Sequence, residues 1–211
     1  MKPQMISDNA LALLKENSFR NFHAKGLDYL CFQRTDALTL KIYFFDSPPP
    51  DAQIVNPHDH RYDFSTAVIA GAVTDSIWRE THESVPFSRP FARFHWMTPL
   101  LGGAGFTYAG LTTLKLDGSM RWERGQSWQT DHRAVHTLTN IIPGTILALE
   151  QRADRLPVGM PTHCYVRNDG QPPQAPDLTG LYDRMDADQI LARLKQLEAA
   201  QPGALSWLKG Q

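Results

Sequence analysis

Two of the eight histidines, His58 and His60, stand two apart in the string NPHDHRYDF. On an extended strand, residues i and i+2 point to the same face, so both imidazoles can reach one ion. Neutral imidazole suits zinc, copper, iron and nickel. A solvent-facing pair is the other reading of the same spacing. The alternation that unites the two histidines also turns Tyr62 and Phe64 to their side and sends Arg61 and Asp63 away. Only a β-bulge would bring the Asp63 carboxylate round. Cys31 and Cys164 are the only cysteines and no CxxC occurs, which argues against a cysteine-based zinc site or a disulfide scaffold.

These side chains need a rigid frame, and the composition allows one. The chain has 211 residues, 42% of them apolar and 20% charged, enough for one domain with a full core. The balance of 21 basic against 22 acidic residues gives no electrostatic case for nucleic acid or an anionic membrane. No apolar run reaches the roughly 18–20 residues of a membrane span. The first residues carry no h-region or cleavage site, so a cytoplasmic setting is expected. An N-terminal helical segment is predicted within 1–27, with Ser7 as cap and Ala10, Leu11, Leu13 and Leu14 as its apolar stripe. From 28 to 167 short β-rich runs (DYLCFQR, LTLKIYFF, STAVIAGAV, TLKL, TILALE) are divided by the turn strings SPPPD, AGA, LDGS, ERGQS and IIPGT. That pattern predicts an all-β sandwich or barrel. The aromatic, proline-rich stretch 86–105 reads as a strand plus a long loop over the barrel mouth. Residues 168–211 form a connector and a last helix at about 186–199, capped by Asp186 or Asp188 and packing Ile190, Leu191, Leu194 and Leu197 on the barrel.

The histidine pair has company further on. Gly71 follows at a position where a strand pair would turn, then Gly125, then His136 in RAVHTLTN eleven residues later, then Asn140. This spacing resembles the two conserved motifs of the cupin superfamily. The resemblance implies a double-stranded β-helix, or jelly-roll, barrel and a metal held by His58, His60 and His136. The glutamate that usually follows HxH in that family is Phe64 here, and Asp131-His132-Arg133 replaces the usual turn. Three neutral imidazoles leave the charge of a divalent ion uncompensated and positions open on it, which suits an anionic or chelating substrate. Iron(II) would allow oxygen activation. Zinc would sharpen a bound water, and nickel or manganese would serve non-redox chemistry.

Losing the glutamate while keeping three histidines resembles the thiol dioxygenase branch, whose best-known member is cysteine dioxygenase. Arg34 lies 24 residues before His58, close to where that family keeps a carboxylate-gripping arginine. The family's Ser-x-His-x-Tyr string is absent at the ungapped position, where Leu149, Gln151 and Ala153 stand. His163 and Tyr165 have the right mutual spacing and would rejoin the site only if 152–160 were an insertion. Gln151 is then a neutral pocket residue, and Tyr62 a wall residue beside the ligands.

The expectation is an iron(II) dioxygenase of a small carboxylated or chelating molecule, with Arg34, Gln151 and Tyr62 on the substrate side. The alternatives are a non-redox metal-dependent isomerase, lyase or hydrolase, and a small-molecule-binding barrel without chemistry. A homodimer through edge strands is implied by the resemblance alone.

Overall fold

The structure, a computed structural model, describes residues 6–22, 25–46, 56–82, 86, 88–99 and 102–206. Along the chain run α1 (Asp8–Asn17), β1 (Phe19–Arg20), β2 (Leu27–Arg34), β3 (Leu38–Phe45), β4 (Tyr62–Ala70), β5 (Ala72–Thr81), β6 (Ser88–Met97), β7 (Gly105–Glu123), β8 (Ser127–Thr130), β9 (Val135–Thr139), β10 (Thr145–Asp154), β11 (Thr162–Arg167), β12 (Asp183–Arg184) and α2 (Ala187–Ala200). The described strands form two sheets, in the orders β12-β1-β2-β3-β10-β4-β8 and β11-β6-β7-β5-β9. Their ladders are antiparallel. Between β4 and β12 the chain passes repeatedly from one sheet to the other, which wraps the pair into the expected all-β jelly roll with short helices at each end.

The seven-stranded sheet buries both faces. Leu30, Phe32, Ile42, Phe44 and Ile146 face outward and pack under Ala10 and Leu14 of α1 and Ile190, Leu194 and Leu197 of α2. Leu27, Phe45, Val68 and Leu147 face inward and meet Val73 and Ile141 from across the barrel. Burial on two sides shows at the end of β3, where the neighbours Phe44 and Phe45 are both buried, one under the helices and one in the barrel. Ser7 caps α1 by accepting from the Ala10 amide, and a reciprocal box between Asp186 and Gln189 opens α2. Arg193 of α2 then donates to Asp28 at the start of β2 and to Asp46 just after β3, which fastens the helix to the sheet.

Two turn assignments fare differently. Gly71 makes the corner between β4 and β5 with φ +74°, and a Cβ there would stand 2.8 Å from Thr145 Cα. The string LDGS, expected as a turn, lies instead inside the 19-residue β7. The β5 ladder runs along that segment and overrides local turn preference, with a register shift where Ile77 faces Gly118 and Trp78 faces Leu116. Asp117 is the extra residue of this bulge, and it pairs with Arg79 at the surface. In the stretch 86–105, ten residues form β6, longer strand and shorter loop than expected. SPPPD lies outside the described residues.

Candidate metal centre

His58 and His60 precede β4, where the chain crosses from the five-stranded sheet to the seven-stranded one. The crossing is tied by main-chain bonds on both sides. His58 and His136 exchange amide-to-carbonyl bonds at 3.0 and 2.9 Å, and the Tyr165 amide donates to the Pro57 carbonyl at 2.9 Å. His58 thus bridges β9 and β11, the two edges of the five-stranded sheet, and closes it. The strand-like alternation holds through this crossing. Asp59, between the histidines, faces the other way and accepts from both the amide and Nδ1 of His163 at 2.6 Å.

On the inner face, one nitrogen each of His58, His60 and His136 lie within 4.8 Å of one another. His60 Nε2 stands 3.0 Å from His136 Nε2. Two nitrogens bound about 2.1 Å from one ion at a right angle lie about 3.0 Å apart, whereas tetrahedral neighbours lie about 3.4 Å apart. The outer nitrogens are already committed. His58 Nδ1 donates to the Asn56 carbonyl at 2.9 Å, and His136 Nδ1 donates to Asp75 Oδ1 at 2.8 Å. Since a carbonyl only accepts, Nδ1 of His58 carries the proton and Nε2 keeps its lone pair. Burial, with His136 beside it, holds the His58 pKa down to about 4, so this ring is neutral at pH 7, as a ligand must be. The residues present therefore fit a divalent ion bound by three nitrogens.

Asp75 is the residue that sequence reasoning missed. It lies on β5 beside His136, with only 6% of its side chain exposed, and orients the ring as acids do behind metal-binding histidines. Its signal was present: in AVTDSIW an acid alternates with Val73 and Ile77 on one face. Phe64 stands where the sequence resemblance implied a glutamate. It is buried, with its ring 4.6 Å from that of His60 and 5.7 Å from that of His136.

The other expected residues lie as follows. Tyr62 packs its ring 5.4 Å from His60. Gln151 stands directly opposite Phe64 on β10, in a cross-strand row continued by Thr39 and Arg34. The Arg34 guanidinium donates to the Tyr29 hydroxyl at 2.7 Å. Asp63 does not join the histidines. It accepts from the amide and ring of His132 and from Arg155, which hold its carboxyl down to about 2. The alternative in which His163 and Tyr165 rejoin the site across an insertion at 152–160 is corrected likewise. The His163 ring is bonded to Asp59 on the opposite face of the sheet, and Tyr165 packs there with Phe91 and Leu114. Cys164 alternates inward, but burial raises its thiol to about 12 and leaves it inert. A cavity of about 370 Å³ lies away from the histidines, with Phe32, Ile42, Ala67 and Leu197 among its lining and Lys41 also at its wall.

No protein-family model matches the sequence, and no curated protein matches it. Among solved structures the chain is similar to KdgF from Halomonas sp., at 14% identity over 72% of this chain and 96% of that one, with a TM-score of 0.38. It is similar to an RmlC-like cupin from Shewanella frigidimarina at 13% identity, over 66% and 87% of the two chains, with a TM-score of 0.37. Hydroxypropylphosphonic acid epoxidase from S. wedmorenis gives 13% identity, 65% and 56% coverage and a TM-score of 0.37. These likenesses are loose, and the functional reading rests on the chain's own residues.

Proposed function

We propose that this chain is a cupin-type metal-dependent enzyme, an iron(II) dioxygenase of a small carboxylated or chelating molecule bound in the barrel mouth. The observation that carries the reading is the convergence of His58, His60 and His136, with Asp75 behind one ring and the Asn56 carbonyl behind another. Those three would hold the ion. When bound, iron(II) would supply a reducing centre for oxygen, with coordination positions left for substrate.

The protein's own part is positioning and exclusion. Phe64 closes the side where a fourth protein ligand would stand and keeps water from it. Asp75 holds His136 in the tautomer that presents Nε2, and its negative charge offsets part of the ion's. Tyr62 walls the pocket beside His60, Gln151 offers a neutral hydrogen-bonding group, and Arg34 steers an anion at the rim. Because Leu149, Gln151 and Ala153 replace the Ser-x-His-x-Tyr string, cysteine itself is not the proposed substrate. The same reading places the protein in the cytoplasm as a homodimer joined through edge strands. No described helix is long and apolar enough to cross a membrane.

The test is elemental analysis of freshly purified protein, with oxygen uptake measured over a panel of small acids and chelators. Iron at one per chain with substrate-dependent uptake is expected. Turnover without oxygen would reassign the chain to non-redox chemistry, and activity in metal-free protein would refute the proposal.

A further inference from the structure

The inner face carries a charge that the metal reading does not use. Lys41 of β3 is buried, 5% exposed, on the lumen side of the sheet. It makes no ion pair among the described residues. Its closest polar partner is the Tyr62 hydroxyl at 3.4 Å, and its ammonium lies over the rings of Tyr62 and Tyr29, at 5.0 and 5.7 Å. An ammonium has three protons to donate, and one long bond with two ring faces leaves it under-satisfied. The Tyr29 hydroxyl accepts instead from Arg34, a second cation with no described carboxylate partner. The carboxylates of Asp75, Asp63 and Glu80 are bonded to His136, to His132 and Arg155, and to Arg93.

Two more groups on this face are short of partners. Thr130 Oγ1 and Trp128 Nε1 of β8 are buried without a hydrogen bond. Thr130 lies opposite Phe64 and Trp128 opposite Thr66. Through β10, the first row continues to Gln151, Thr39 and Arg34, and the second to Leu149, Lys41 and Cys31. Deeper rows are filled by Leu147, Val68 and Phe45. Buried donors with nothing to donate to are rare in folded proteins unless a bound group completes them.

We propose that Lys41 is the anion anchor of the pocket. A small carboxylate binds with its carboxylate on the Lys41 ammonium and its other end toward the three histidines, while Thr130 bonds a polar atom along its length. One tyrosine ring, Tyr62, separates Lys41 from His60, which sets the scale of the molecule. This rests on the metal-centre reading, deepens it to a substrate class, and moves the principal anion contact inward from Arg34.

The test titrates cobalt(II)-loaded protein by calorimetry with two- to five-carbon carboxylates and with their uncharged amides. Melting curves of metal-free protein are run with the same compounds. Wild type should prefer acids over amides at least tenfold. Lys41→Met should lose that preference, bind amides as before, keep one cobalt per chain and melt no lower than wild type. Lys41→Arg should retain part of the preference, and Thr130→Val should weaken acids and amides alike. Equal binding of acids and amides by wild type, or an undiminished preference in Lys41→Met, would overturn the proposal. So would a lower melting temperature in Lys41→Met, which would make the lysine structural. Failure to load cobalt would instead sink the metal reading, and the melting curves would still report on Lys41.

Discussion

Replacing Asp75 by asparagine tests the metal centre without touching a ligand. The carboxylate is 2.8 Å from His136 Nδ1, and neither side chain is more than 6% exposed. Asparagine keeps the volume and an acceptor oxygen, so the fold should persist. What it removes is the charge behind the ring, and a charge-assisted bond is about twice as strong as a neutral one. Loss of such a partner typically lowers metal affinity about 10- to 100-fold, or about 1.4–2.7 kcal/mol. Asp75→Ala should lose as much affinity and also leave the buried Nδ1–H unpartnered, costing about 1–3 kcal/mol of metal-free stability. The assay is competition of the metal-free protein against a chelating indicator for zinc and for iron(II), with urea unfolding in parallel. An asparagine variant that binds as tightly as wild type would refute the argument that Asp75 orients a metal-binding ring.

Further outcomes follow from the same geometry. Gly71→Ala should lower stability by about 2 kcal/mol and the melting temperature by about 4–8 °C, because the Thr145 backbone cannot yield to a Cβ and φ is +74°; a thermal melt reads this directly. Phe64→Glu should bind divalent metal at least about tenfold more tightly while its metal-free form melts lower, since it buries a carboxylate beside two histidines; melts with and without chelator separate the two effects. Arg193→Ala should cost about 3 kcal/mol in urea unfolding, because it strands Asp28, whose side chain is 10% exposed. For His58, with its pKa lowered from 6.5 to about 4, the unfolded chain binds a proton between those values that the folded chain refuses. Metal-free stability should therefore fall as pH drops from about 6.5 to 4, by about 1–3 kcal/mol given the ring's partial exposure, and unfolding titrations across that window check the sign.

Local chemistry made several elements readable. Ser7, and an acid at 186 or 188, announced the helix starts because capping is settled within a few residues; Asp186 is the cap, and its box with Gln189 emerged only in the structure. Gly71 announced a corner because few other residues tolerate that backbone. The alternation through His58, His60, Tyr62 and Phe64 put Asp63 on the wrong side, and it is bonded there to His132. What escaped depends on partners distant in the chain. LDGS became strand because β5 supplies a ladder for it. Lys41 escaped because LTLKIYFF has the alternation of a half-exposed strand, with Thr39, Lys41 and Tyr43 suggesting a solvated face. The helices take the Leu40–Ile42–Phe44 side, so the polar row lines the lumen. Asp75 was visible as an oddity, but its purpose appears only when His136 arrives beside it.

The backbone bonds that stitch residues 57–60 between β9 and β11 have a consequence for how an ion is chosen. A loop that gathers its ligands can tighten or spread to suit whichever cation arrives first. Here the imidazoles are mounted on a closed sheet, so the socket is cast before its occupant comes. Discrimination then falls to size and preferred angles, and stripping the ion should leave the barrel standing, ready to be refilled.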